Sequence, residues 1–146
     1  MNRAEMKTVV IGTVGAGYAA YLHGNGYEKV GGVPIRLKGV CDVQIGLAEK
    51  LKERYGYEYA CTDVSDLLND PEINVIDIVL PPFLHVPFAI KAMRAGKHVI
   101  CEKPLPGYFG EPGEENIGRT VPKSKMYKAC LKEMDELKKV VEETGM

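Results

Sequence analysis

The sequence predicts an α/β fold, a doubly wound parallel sheet in a single domain. Three observations carry that expectation. Short, near-continuous apolar runs alternate with segments of helical spacing, the runs are rich in Val and Ile, and glycine or proline closes most elements. Strands that are apolar on both faces belong in parallel sheets covered by helices above and below. At 146 residues the chain matches one ordinary domain, long enough to bury roughly 70% of its unfolded surface.

Residues 8–14 form the first predicted strand, ending in glycines, and a helix should run over 18–23. Residues 24–34 hold four glycines and a proline, a composition that predicts a surface loop. Residues 35–41 alternate as a second strand. Ile45, Leu47, Ala48 and Leu51 then give 44–55 a helical spacing that Gly56 closes. A short third strand at 59–61 leads to a short helix capped by Asp63 or Ser65 and ended by Asn69-Asp70-Pro71. The clearest strand is 74–80, stopped by Pro81-Pro82. A helix over 86–95 ends at Gly96, and 98–101 is a fifth strand. Residues 106–122, rich in Gly, Pro and Glu, read as a long loop, which is either functional or mobile. The terminal helix at 124–143 carries Met126, Cys130, Leu131, Met134, Leu137, Val140 and Val141 on one stripe.

Composition narrows the function classes. Lys plus Arg (19) nearly cancels Asp plus Glu (20), so no basic face is offered to nucleic acid. No apolar run approaches the roughly 18 residues of a membrane span, and residues 1–7 lack the apolar core of a signal peptide. Cys41, Cys61, Cys101 and Cys130 make no Cys-x-x-Cys pair and have no His at ligand spacing. They are expected to be buried or partly buried free thiols, with no metal site, in a reducing cytoplasm.

In doubly wound sheets ligands bind beyond the carboxyl ends of the strands at the switch in strand order. After the first strand, Gly15-Ala16-Gly17-Tyr18-Ala19-Ala20 matches G-x-G-x-x-A between strand and helix. Gly15 suits the tight turn, Gly17 lets a pyrophosphate approach bare backbone, and Ala20 keeps helix and strand close. The helix amino terminus adds free N–H groups and a positive dipole end. Alone this motif is a weak signal, since a turn needing positive φ would also select glycine. Asp42 ends the second strand where such folds place an acid that binds the adenosine ribose hydroxyls, somewhat beyond the usual gap of about 20 residues. A carboxylate there repels a 2′-phosphate and no Lys or Arg follows until Lys50, so NAD is favoured over NADP. Asp42 could instead cap the next helix.

The fourth strand ends in Leu80-Pro81-Pro82-Phe83-Leu84-His85 and the fifth in Cys101-Glu102-Lys103-Pro104-Leu105. With Val40-Cys41-Asp42, Thr62-Asp63-Val64, Leu67-Leu68-Asn69-Asp70 and Ala95-Gly96-Lys97-His98-Val99, residues 7–105 resemble the Gfo/Idh/MocA oxidoreductases, the glucose-fructose oxidoreductase and inositol dehydrogenase group. Glu-Lys-Pro behind Ala-Gly-Lys-His-Val is the specific part. The resemblance implies a Rossmann-type domain with Lys103 beside the nicotinamide and the substrate's reacting hydroxyl. An ammonium there would stabilise developing negative charge during hydride transfer and help move the proton. The expected cofactor contacts are Gly15, Ala16, Gly17, Tyr18 and Asp42 on one side, and Leu80, Pro81, His85, Glu102 and Lys103 on the other. The family's Thr-Pro-Asn is here Leu80-Pro81-Pro82, which keeps backbone contacts and loses the Asn side chain. His85 either braces its helix or touches the cofactor, and His23 and His98 read as structural.

The same resemblance implies a second domain that supplies the substrate pocket, the subunit interface and an Asp/His acid–base pair. Residues 1–146 then correspond to the dinucleotide-binding domain alone, lacking the sixth strand and the substrate domain. Such a chain is expected to bind cofactor without turning over and to self-associate, as a homo-oligomer, through its fifth strand and last helix. Two functions follow: the NAD half of a dehydrogenase acting on a hydroxyl or carbonyl carbon of a sugar or polyol, or a stand-alone nucleotide-binding module without turnover. An S-adenosylmethionine site shares the glycine loop, but Glu102-Lys103-Pro104 argues against it.

Overall fold

The computed structural model describes residues 7–146; the reading of the first residues as lacking a signal peptide falls largely outside them. The elements run β1 (Val9–Val14), α1 (Tyr18–Tyr27), β2 (Ile35–Cys41), α2 (Ile45–Tyr55), β3 (Tyr59–Cys61), α3 (Val64–Asn69) and β4 (Val75–Ile78). A 3₁₀ turn (Pro82–Leu84), α4 (His85–Arg94), β5 (His98–Cys101), α5 (Ile117–Thr120) and α6 (Lys123–Thr144) complete the chain. The five strands form one parallel sheet in the order β3-β2-β1-β4-β5. Strand order therefore reverses between β1 and β4, which is where a doubly wound sheet opens a crevice.

Side chains alternate across the sheet because the strand period is two. Val40 joins Ala20, Ala48 and Leu51 on the face covered by α1 and α2. Cys41, Ile76 and Ile78 join Leu67, Val86, Ala92 and Leu137 on the face covered by α3, α4 and α6. The expected doubly wound architecture thus follows from strands buried on both sides.

Two expectations change. Helix α1 continues to Tyr27, a turn beyond the predicted end, and the loop that follows is shorter. Gly24 is buried inside that extra turn, where a Cβ would stand 2.6 Å from the Tyr55 ring. Its glycine lets two helices approach rather than breaking one. The 106–122 segment contains the short α5 and is tied down along its length. Phe109 packs edge-on against Phe83 at 6.4 Å, the Gly107 N–H donates to Glu133, and Lys125 reaches Glu114 at 2.8 Å.

Helix α6 docks on α4 through its last turns, with Leu137 and Val140 buried, while Leu131, Met134 and Val141 on the same stripe stay exposed. All four cysteines are free. Burial makes Cys41, Cys61 and Cys101 harder to ionise, pushing the Cys61 thiol up to about 12 and Cys101 to about 11. No helix among the described residues is long and apolar enough to cross a membrane.

Candidate functional site

A cleft of about 620 Å³ lies across the carboxyl ends of the strands. Val14, Cys41 and Thr62 reach it from β1, β2 and the end of β3, and Leu80, Pro81 and Leu84 from beyond β4. It therefore runs across the reversal in strand order.

Gly15 and Gly17 serve this cleft differently. Gly15 has φ +99°, and a Cβ there would lie 2.6 Å from the Val79 carbonyl oxygen. The protein's own backbone demands that glycine. Gly17 has φ −80°, ordinary for any residue, and among the described residues no atom lies within 4 Å of where its Cβ would be. Its bare backbone leaves space on the cleft side. Gly17 also caps α1 with no side-chain bond; the Ala20 N–H turns back to the Gly17 carbonyl at 3.0 Å, and the Tyr18 and Ala19 N–H groups, which have no intrahelical partner, remain open to an anion. Ala16 and Ala20 are buried between helix and sheet, and Tyr18 is 80% exposed, so its backbone rather than its ring belongs to the loop.

Asp42 lines the same cleft. Its Oδ2 accepts from the Ala16 N–H at 2.9 Å and its Oδ1 from the Gln44 N–H at 2.8 Å. The residue that caps α2 is Gln44, without a side-chain bond, so Asp42 ties the glycine loop to the β2–α2 turn rather than capping the helix. Each oxygen keeps a lone pair for a hydroxyl. The donor set fits a dinucleotide: free amides for a diphosphate, a carboxylate for a ribose, and apolar walls at Leu47, Leu80 and Phe88 for flat rings.

His85 is 1% exposed. Its ring lies between the carbonyl oxygens of Leu80 and Pro104, 2.8 Å from each. These contacts brace the turns after β4 and β5 rather than the residue's own helix. Through His85 the turn after β4 is held to the turn after β5. Glu102 is half-buried and Lys103 exposed; both line a second cavity, about 490 Å³, with Leu105, Leu137 and Val141, and not the first.

Sequence reasoning missed the group that holds Glu102. Asp77, 0% exposed in the middle of β4, accepts from the Tyr27 hydroxyl at 2.7 Å and from His23 Nδ1 at 3.0 Å. His23 Nε2 is 2.8 Å from Glu102 Oε1. Burial alone would lower the His23 pKa, but the bond to Glu102 and the charge of Asp77 outweigh it and raise it above its ordinary 6.5. Burial raises the Asp77 carboxyl, the Tyr27 bond and His23 only partly opposing it. The His23 bond lowers Glu102. The available signal was a carboxylate inside an otherwise apolar strand, which must find partners, together with His23 and Tyr27 four residues apart on one helix face.

A parallel sheet with an open glycine cradle and an acid at the end of β2 defines a dinucleotide-binding domain. The Gfo/Idh/MocA model, an oxidoreductase family with an NAD-binding Rossmann fold, matches residues 7–111, and the chain belongs to that family. A levoglucosan dehydrogenase from Pseudarthrobacter phenanthrenivorans is 34% identical over 118 residues, covering 76% of this chain and 29% of that protein. Among solved structures, a myo-inositol 2-dehydrogenase from Lactobacillus plantarum superposes with a TM-score of 0.70 at 27% identity, covering 94% of this chain and 34% of that one. A levoglucosan dehydrogenase in complex with NADH and levoglucosan gives 0.58 at 32% identity, covering 68% and 28%. This chain is thus an NAD-binding oxidoreductase domain related to sugar and polyol dehydrogenases, and it spans less than a third of the length of the curated relatives named first.

Proposed function

We propose that this domain binds NAD(H) in preference to NADP(H), and that the protein acting with it moves a hydride between NAD and a hydroxyl or carbonyl carbon of a sugar or polyol. The observation that carries this reading is Gly17, whose missing side chain answers no need of the fold and leaves the amino end of α1 open. The relatives that act on levoglucosan and inositol support the substrate class.

The bound nicotinamide supplies or accepts the hydride. The α1 amides and Gly17 receive the diphosphate, and Asp42 accepts from the ribose hydroxyls while repelling a 2′-phosphate. Val43 and Gln44 follow it, neither able to neutralise such a phosphate. Leu80 and Pro81 offer backbone and an apolar wall to the nicotinamide half, and His85 and Glu102 hold the two turns that frame it. Lys103 is the catalytic group: its Nζ stabilises negative charge on the reacting oxygen and exchanges that oxygen's proton. Substrate-binding groups and further acid–base residues come from parts of the whole protein outside this stretch.

Fluorescence titration with NADH and NADPH tests the reading. NADH is expected to bind at least about tenfold more tightly, and Asp42→Asn, which keeps an acceptor and removes the charge, is expected to narrow that gap about tenfold. Equal affinities in the unaltered chain would refute the NAD preference, and no binding of either would refute the site.

A further inference from the structure

Four groups, on β4, α1 and the turn after β5, form one chain of hydrogen bonds from the sheet interior to the Glu102-Lys103-Pro104 turn. Asp77 on β4 points to the α1 face, where Tyr27 and His23 meet it. The far nitrogen of His23 meets Glu102 just beyond β5, and the other Glu102 oxygen accepts from the Lys103 N–H at 3.2 Å. Ionised carboxylates only accept. An imidazole between two of them satisfies both contacts only when each nitrogen carries hydrogen, so one extra proton belongs to the array. The further titratable neighbours are Tyr57, which feels the Asp77 charge on the same face, Cys101, which feels Asp77 and Glu102 from the opposite face of the sheet, and Lys103, whose charge acts on Glu102. Among the described residues, the charged groups that act on the His23 ring are Asp77 and Glu102.

Glu102 has no other side-chain partner among the described residues, and its side chain is about one-third exposed. Without His23 it is free to leave the β5 terminus, and the Lys103 N–H loses its acceptor. The geometry points to His23 as a positioning residue, coupling buried Asp77 to Glu102 and so fixing the turn that presents Lys103 to the cofactor. This rests on the reading of Lys103 given above. His23 touches neither cofactor nor substrate in this account; it acts through Glu102.

The proton on His23 and the bound cofactor then reinforce one another, since binding linkage is reciprocal. The test follows the His23 imidazole by nitrogen–proton NMR across pH in the full chain, free and with saturating NADH, using His23→Gln to assign its signals. Both ring nitrogens are expected to be protonated at neutral pH, with a midpoint above the ordinary 6.5. Glu102→Gln, at a partly exposed site where folding is preserved, is expected to lower that midpoint by about one unit, and saturating NADH to raise it by about half a unit. In parallel, NADH affinity of the unaltered chain should fall about threefold as pH passes the His23 midpoint, and both variants should lose that dependence.

An unchanged His23 midpoint in Glu102→Gln would overturn the coupling, even if NADH binds. A pH profile of NADH affinity identical in the unaltered chain and both variants would overturn the positioning role. If the unaltered chain binds no NADH, the cofactor reading falls with the proposal, while the free-chain NMR still shows separately whether Asp77, His23 and Glu102 are coupled.

Discussion

The two halves of the sheet meet the cleft with different chemistry. On the β1–β3 side the diphosphate-facing groups are set by main chain: the glycine loop, the open α1 amides and Asp42, whose carboxylate is bonded to two backbone N–H groups. On the β4–β5 side the turns are held by side chains from distant parts of the sequence, with His85 joining Leu80 to Pro104 and His23 joining Asp77 to Glu102. A backbone cradle is encoded locally, because glycine and strand-end acids must occur at set spacing. Side-chain braces need only that the fold bring two partners together, so their spacing in sequence is arbitrary.

That contrast predicts where substitutions fail, beginning with the largest effect. Gly15→Val forces a branched residue to φ +99° and into the Val79 carbonyl, and is expected to cost about 4 kcal/mol from strain and overpacking together. Urea denaturation reads this directly, and a cost below about 1 kcal/mol would show that the cradle is not set by its contact with β4. His85→Ala removes a buried ring and frees two carbonyls, so a loss of about 2–4 kcal/mol is expected. The same variant should increase amide hydrogen exchange at residues 103–107, and unchanged exchange there would remove the brace between the two turns. Lys97 is the corresponding pin at the opposite end of the sheet, donating from Nζ to the Asp70 and Ile73 carbonyls at 2.7 and 2.8 Å. Lys97→Met keeps the stem and loses both bonds, which should lower stability by about 1–3 kcal/mol without changing cofactor affinity.

Legibility in the sequence followed the same division. The five strands, the glycine loop and Asp42 could be read because apolar runs, turns and strand-end positions leave local signals. The early end predicted for α1 came from reading Gly24 as a breaker, when its role is contact with Tyr55, a residue on another helix. The 106–122 segment read as a bare loop because its ties, Phe83 to Phe109 and Gly107 to Glu133, connect residues that no periodicity relates. His23 passed as structural for the same reason: its partners, Asp77 and Glu102, lie on two other elements. The clues were the charge of Asp77 in an apolar strand and the i,i+4 placing of His23 and Tyr27.

If the fold leaves Gly17 bare for a cofactor, Gly17→Asp should separate binding from stability. Aspartate is a favourable helix cap and suits the dipole, so stability should be unchanged or slightly higher. A carboxylate in the diphosphate position should weaken NADH binding at least about a hundredfold. NADH titration beside thermal denaturation of both chains gives both quantities. Affinity is expected to be lost with the melting temperature retained; full NADH affinity in a folded Gly17→Asp chain would show that Gly17 does not face the diphosphate.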